Sequence, residues 1–467
     1  MFVNSDAYYF SLKNVSLTHT MKSRFLPAGV FLLAIVNIVL FWPGNLYFLN
    51  DDLLHIPLTD QGQLFQTNSV RPIHELLVRL DLFLWGKRAF GYHLTALVLH
   101  FIVCLQVYEL SLTMQTKWLQ INKKQAGWAA LLALFLFLAY PQSSESLAWI
   151  LGRTPVLSVI FLLITIRLFF SANISLLTYF TAIFFYGTNL FTYEQSVLLP
   201  LALLLIAITE KIRAKRISMI IFVSLLLLVD VVYVVVRKLI TAEVVGNYEG
   251  GNLIRMNFQT LVANACRLLF RLVLNPEPKT LFLFSACVLI LLIGFVIFYY
   301  RRLKCNRKAI LFFLTAIVLL LAPVISLGLA VNSFESGRYL YLPSIFFIIG
   351  ISIAATSILQ ANQKRLKVPV FVLFILVTVY WLKGKVEASQ SYTAASSYAQ
   401  RMELQIQHHF QTSSDTLFID TLRVTVNRLP VFRRGFNTGI NWLNNHSDTN
   451  KIVVKNYYDE VTHRDLQ

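Results

Sequence analysis

The chain has 467 residues, 57% of them hydrophobic and only 14% charged, with a mean hydropathy of +0.63. Soluble domains hold about half apolar and about a quarter charged residues, so this composition excludes an ordinary water-soluble fold. The net charge of +18 does not indicate a nucleic-acid partner, because Lys and Arg cluster in short loops between apolar runs, where membrane topology puts them.

The apolar runs are about 17–25 residues long, enough to cross a hydrocarbon core of about 30 Å. In lipid each backbone polar group must be satisfied within its own segment, so such runs are helices. About eleven spans are expected, near 26–46, 92–114, 125–141, 154–170, 174–190, 194–209, 217–238, 279–299, 308–330, 338–359 and 366–384. The fold class is therefore an all-α polytopic membrane protein. No small-x-small cleavage site follows the first run, which favours an uncleaved anchor over a signal peptide. Met21-Lys22-Ser23-Arg24 would also make an ordinary start, so residues 1–20 are read as dispensable or even untranslated.

Orientation follows from the loops. Lys117/Lys123/Lys124, Lys211/Arg213/Lys215/Arg216, Arg301/Arg302/Lys304/Arg307/Lys308 and Lys364/Arg365/Lys367 fall in alternate loops. With eleven spans they share one face with Lys22 and Arg24, the cytoplasmic one by the positive-inside bias. Residues 1–25 then form a cytoplasmic segment and 26–384 the membrane domain, and everything after about 385 is extracytoplasmic. Of the four cysteines, Cys104 and Cys287 lie in apolar runs and Cys305 in a basic loop. Cys266 alone is on the outer side, so no disulfide framework is expected.

The first outer loop, 47–91, opens with Asn50-Asp51-Asp52-Leu53-Leu54-His55. Adjacent carboxylates can divide the work, one deprotonating an acceptor hydroxyl while the other orients the acceptor or a divalent metal. His55, one turn on, could tune either; an ordinary loop start at a helix end remains the plain alternative. Arg71-Pro72 follows, Arg being suited to bidentate phosphate binding and Pro to a first helical position. From Pro72 to Trp85 the pattern reads as a helix lying in the interface with its polar groups turned to water. A second such helix is expected over 257–274, with Arg267 and Arg271 a turn apart.

Glu145, Trp149 and Arg153 would share one face of a helix and form a sugar-and-phosphate wall. Glu194 sits where one span leaves the membrane and the next enters. Arg338 opens the tenth span with Tyr339 and Tyr341, placed either to meet a lipid phosphate or to snorkel in an aromatic belt. Asp230 lies inside an apolar run, where a carboxylate is usually paired or functional; Arg237, two turns on, is its expected partner. The tail, 385–467, reads as a small α/β appendage: an amphipathic helix over 386–410, strands near 416–422 and 451–457, a Pro430–Gly435 turn and a short helix.

In order, Asn50-Asp51-Asp52, Arg71-Pro72, Phe90-Gly91-Tyr92-His93-Leu94, His100, Pro141, Glu145, Gly152-Arg153, Glu194 and Arg338-Tyr339-Leu340-Tyr341-Leu342-Pro343-Ser344 resemble the GT-C type of integral-membrane glycosyltransferase. They look closest to the tail-less bacterial relatives of the transmembrane O-mannosyltransferases with TPR tails. The resemblance runs in patches over residues 45–345. It implies a polyprenyl-phosphate sugar donor on the non-cytoplasmic side of a bacterial inner (plasma) membrane. It further implies an acidic base in the first outer loop, Asp51 or alternatively Asp52, and basic groups on the lipid phosphate, Arg338 with Arg71 and Arg153. Tyr341 is assigned to the same donor site, and His55, Glu145, Trp149 and Glu194 to the sugar or acceptor. Tyr140 and Tyr193 stand where the family often has His and Lys, and a phenol does not supply those charges. The acceptor is left open among glycan, lipid and protein hydroxyls. No cofactor is called for beyond the divalent metal the carboxylates would allow. Two other readings are a transporter of lipid-linked saccharide, which would place charged or broken helices at mid-membrane, and a non-catalytic assembly component.

Overall fold

The computed structural model describes residues 13–62, 70–171, 175–241, 257–276, 307–329, 332–360, 364–412, 416–444, 452–460 and 464–466. Helices occupy every expected span except 279–299, which lies outside the described residues, as do residues 1–12, Cys287 and Cys305. Along the chain they are α1 (Lys13–Leu40), α2 (Asp52–Asp60), α3 (Pro72–Trp85), α4 (Ala89–Thr113), α5 (Lys123–Ala139), α6 (Ser144–Ala148), α7 (Thr154–Phe169) and α8 (Leu176–Leu190). There follow α9 (Leu199–Thr209), α10 (Arg213–Thr241), α11 (Phe258–Arg271), α12 (Arg307–Leu321), α13 (Tyr341–Gln360), α14 (Lys364–Thr412) and α15 (Phe436–Asn444).

Among the described residues six helices are long and apolar enough to cross a membrane, and a seventh crossing results if Lys123–Ala139 and Pro141–Ala148, bent by 58°, form one span. The chain is an integral membrane protein. Of the other four expected runs, 279–299 lies outside the described residues, and those near 174–190, 194–209 and 308–330 form helices shorter than this length test requires. The run expected at 194–209 begins with a 3₁₀ turn, Glu194–Ser196, and becomes α-helical only at Leu199, with Pro200 in its first turn. The unwound ends lie where the charged residues gather.

Small residues set the packing. Ala126, Ala129, Ala130 and Ala133 form a fully buried stripe on α5, which packs against α1, α4 and α13. In lipid, helix association relies on close backbone approach because the tails compete for any apolar surface. Phe31, Leu32, Ile35 and Val39 of α1 and Leu228, Val231, Val232 and Val235 of α10 point outward, as lipid-facing residues do.

Helix α3 has the residues expected of it but the opposite orientation. Leu76, Leu80, Phe83 and Leu84 are exposed, whereas His74 and Asp81 are buried with Val78. The polar groups turn inward because Asp81 forms an ion pair with Arg153 inside the bundle. A helix, α11, stands where the second interfacial helix is expected, with Arg267 exposed and Arg271 buried.

The expected break between the last span and the tail does not occur, since α14 runs unbroken for 49 residues. Gly384, near the expected break, stays helical where Asn275 presses so close that no Cβ would fit. Beyond it lie strands β1 (Leu417–Arg423), β2 (Thr425–Val426), β3 (Leu429–Pro430), β4 (Ile452–Asp459) and β5 (Arg464–Leu466). β1 pairs in parallel with β4, β5 adds antiparallel to β4, and α15 lies in the crossover between β1 and β4.

This appendage is fastened to the loops at one end of the bundle. Asn50 N donates to Val431 O at 2.6 Å and Trp442 Nε1 to Asp60 Oδ2 at 2.8 Å, and Lys87 Nζ reaches Trp442 O. Ser333 Oγ donates to Arg428 O at 2.8 Å, and Arg433 pairs with Glu335 at 2.8 Å. Gly435 has φ +74°, and a Cβ there would lie 2.6 Å from Leu54 N. Gly435→Ala therefore combines left-handed strain with a backbone clash and should cost about 1–3 kcal/mol. Limited proteolysis in membranes should then cut the appendage faster in the variant than in wild type, and an equal rate would show that this contact does not hold it.

Candidate functional site

The chain reaches the site through a turn that only a few residues tolerate. After α1, a 3₁₀ turn (Pro43–Asn45) and an extended stretch lead to Asn50, whose φ is +48°. Asn enters that left-handed region more readily than most residues. Asp51 then caps α2 and Asp52 begins it.

The two carboxylates have different surroundings. Asp52 is buried, its Oδ2 accepting from Leu49 N and its Oδ1 from Leu151 N, both at 3.0 Å. It ties the first loop to the segment between α6 and α7. Burial pushes its pKa from 3.8 up to about 7, opposed by those two amide donors and by Arg153, and assisted by the neighbouring charge of Asp51. Asp51 is half-buried, and its Oδ1 is enclosed without a hydrogen-bond donor among the described residues. One turn on, His55 is held below its ordinary pKa by burial, with Asp51 acting in the opposite sense and Arg434 and Arg71 reinforcing the depression. Asp51, Arg71 and Arg434 thus lie within electrostatic reach of His55.

A second cluster forms where α3, α8, α9 and α10 meet. Arg71 grips Glu194 bidentately, Nε to Oε2 at 3.1 Å and Nη2 to Oε1 at 3.0 Å, and its guanidinium lies 4.7 Å from the centre of the Tyr193 ring. Arg237 reaches the same Glu194 Oε1 at 3.2 Å and Tyr233 Oη at 3.1 Å. Its Nε and Nη2 are enclosed without hydrogen-bond acceptors among the described residues. The expected Asp230–Arg237 pair is therefore absent. Seven helical residues separate the two by about 10 Å along the axis, and Asp230 instead accepts from Tyr186 Oη at 2.8 Å.

The third cluster joins α6 to the start of α13. Arg338 Nη1 pairs with Glu145 Oε1 at 3.2 Å, and Arg338 N donates to Glu145 Oε2 at 2.7 Å. The guanidinium stacks 4.4 Å from the centre of the Trp149 ring, a cation–π contact, while Trp149 Nε1 donates to Leu49 O at 3.1 Å. Gln195 Nε2 donates to Tyr339 O at 2.7 Å, joining the second cluster to the third.

Glu145, Trp149 and Arg153 do not share a helix face as expected. α6 ends at Ala148, Trp149 is extended at φ −120° and ψ 124°, and a separate 3₁₀ turn carries Leu151–Arg153. The break sends Arg153 inward, where it is fully buried between Asp81 and Tyr92 O, the latter at 3.0 Å. Tyr341 is equally enclosed, its Oη 2.8 Å from His100 Nδ1. Both stand behind the wall of the site. Tyr140, where the resembled family often has His, donates to Leu272 O at 3.1 Å, and Tyr193 lies under Arg71.

Asp51, His55, Arg71, Glu145, Trp149, Glu194 and Arg338 thus come together at one bundle end, and Arg153 and Tyr341 support it from behind. Sequence reasoning missed Arg237 and the appendage arginines Arg433 and Arg434. The signal for Arg237 was its place at the end of a span on the same side as Glu194, which the pairing with Asp230 obscured. Among the described residues no group of three or more His, Cys, Asp or Glu side chains is arranged to hold a metal ion.

The fold and the site define an integral membrane protein that concentrates arginines, carboxylates and aromatic rings at one end of a helical bundle. Solved structures similar to it include two of one protein. One is ArnT from Cupriavidus metallidurans bound to undecaprenyl phosphate, at 11% identity and a TM-score of 0.49, covering 91% of this chain and 85% of that one. The other is the same protein in the apo state, at 11% identity and a TM-score of 0.47, covering 92% and 86%. No family model and no curated protein matches the chain. The functional reading rests on the site's own geometry.

Asp52 gives a pH signature. Its pKa is higher in the folded chain than in the unfolded one, so folding favours the protonated carboxyl. The contribution is fully present below about pH 4 and is lost as pH rises through about 7. Thermal midpoints in detergent should fall across that window in wild type, and Asp52→Asn should flatten the fall. A variant with the wild-type slope would assign the pH dependence to other groups.

Proposed function

We propose that the chain is a GT-C type glycosyltransferase that moves a sugar from a polyprenyl-phosphate donor to an acceptor hydroxyl at the extracytoplasmic face, with inversion. Its kinship would lie with the tail-less bacterial relatives of the TPR-tailed O-mannosyltransferases. The observation that carries the reading is the convergence of Arg71, Arg237 and Arg338 with the enclosed Asp51 carboxylate at one bundle end.

Three guanidinium groups against Glu145 and Glu194 leave one positive charge over, which suits a lipid phosphate at the membrane edge. Arg338 meets it from the Trp149 wall, and Arg71 and Arg237 from the Glu194 side. As the acceptor oxygen attacks the anomeric carbon, the sugar–phosphate C–O bond breaks and negative charge grows on the departing polyprenyl phosphate. Fixed cations stabilise that charge without reorganisation. The acceptor proton passes to Asp51, whose Oδ1 has no other donor in the described structure. Asp52 is the alternate base; each of its oxygens already accepts one backbone amide, so its first role is to tie the two segments together. His55, with its lowered pKa, is neutral near pH 7 and adds no competing charge beside the base.

The test is made in membranes with a panel of radiolabelled polyprenyl-phosphate sugars, following donor retention and transfer separately. Asp51→Asn should lower transfer by about 10²–10⁴-fold, the usual worth of a general base, and leave donor retention intact. Arg338→Ala should weaken donor retention by roughly ten- to a hundredfold, as loss of a charged hydrogen bond does; Arg338→Lys, which keeps a partner for Glu145, separates charge from bidentate geometry. Transfer unchanged in every variant, or lipid-linked saccharide crossing the membrane with no donor consumed, would overturn the catalytic reading in favour of transport.

A further inference from the structure

The appendage holds a cleft that none of the roles above uses. Its volume is about 460 Å³, and Leu54, Phe432, Arg433, Arg434, Asn437 and Thr438 are among its lining. That size lies within the range of small-molecule sites. Leu54 belongs to α2, and its backbone N–H donates to Asp51 O at 3.1 Å, so the cleft ends one helical turn from the proposed base. Gly435 and Gly439 pack against the backbone of Leu53 and Leu54, which fixes the distance between the cleft and Asp51.

The chemistry of the lining is cationic. Arg433 and Arg434 are both exposed at its edge, Arg433 steadied by Glu335. Arg434 is within electrostatic reach of His55. The cleft also takes in the first residues of α15, Phe436, Asn437 and Thr438, whose amides precede the first intrahelical bond, from Gly439 N to Gly435 O at 2.8 Å. Guanidinium groups and helix-start amides bind an anion together.

We infer that this cleft is the acceptor subsite and that the acceptor is an anionic saccharide, bearing a phosphate or carboxylate that Arg433 and Arg434 hold while a neighbouring hydroxyl is presented to Asp51. The assignment of an acceptor rests on the transferase reading above; the anionic sugar site does not. Tyr457, also in the lining, supplies a ring for a sugar face, and Leu54 an apolar contact.

The full-length chain in detergent would be tested by equilibrium dialysis with radiolabelled glucose 6-phosphate, glucuronate and glucose as probes. The charged sugars should be retained and glucose should not, and Arg434→Gln should weaken their retention about tenfold. Comparing glucose 6-phosphate with glucuronate tells phosphate from carboxylate. Undecaprenyl-phosphate retention should be unchanged in Arg434→Gln, which also shows that the variant is folded. Retention of glucose equal to that of the charged sugars, or equal retention by wild type and Arg434→Gln, would overturn the proposal. Loss of the transferase reading alone would appear as charged-sugar retention without any sugar transfer.

Discussion

Asp52 accepts backbone hydrogen bonds from Leu49 and Leu151, and through them the first loop is held to the segment that carries Glu145 and Trp149. The indole of Trp149 repeats the tie, donating to Leu49 O while its face carries Arg338. Without that seam the loop bearing Asp51 and the wall bearing Arg338 would be separate pieces of chain. A buried carboxylate is costly unless its oxygens are satisfied, and here the amides that satisfy it belong to the two segments that must be aligned. The expense of burying Asp52 is thus inseparable from the geometry it enforces.

The same logic orders the cations. Arginine at the end of a membrane bundle is expensive unless paired, and each of three arginines there has a carboxylate beside it: Arg338 with Glu145, Arg71 and Arg237 with the shared Glu194. The sharing leaves a surplus of positive charge with a fixed direction. Aromatic rings at 4.4 and 4.7 Å hold the guanidinium planes without neutralising them. Such a site is arranged before any ligand arrives, and that is what electrostatic stabilisation of a departing phosphate requires.

Much of this was legible in the sequence because membrane chains write their helices as long apolar runs. Helix α3 begins and ends at Pro72 and Trp85, where the pattern put it, and the ordered polar patches do converge at one end. What stayed hidden were matters of side-chain direction. The exposed apolar face of α3 reverses the usual rule, because a buried Arg153 demanded Asp81 and lipid accepts the leucines left outside. The choice between Asp51 and Asp52 could not be read from two identical side chains in a row. It depends on which backbone amides fold back onto them. Asp230 and Arg237 looked like partners because spacing ranks neighbours on one helix, whereas Arg237 lies level with a carboxylate contributed by another.

The appendage carries the least sequence signal and, on the proposed acceptor reading, the most consequence for choice of substrate. Its sheet is small, and its strands would be marginal alone. It is steadied from below by Asn50, Asp60, Lys87, Ser333 and Glu335, all on loops of the same bundle end. Two glycines let its turn and helix sit directly on α2, so any group bound beside Arg434 is registered against Asp51 by backbone contact rather than by flexible side chains. If the chain is the transferase proposed, a membrane domain built this way could keep its donor site and change its acceptor by exchanging the appendage. On the proposed acceptor reading, the appendage's arginines, rather than those of the bundle, would set which acceptor is used.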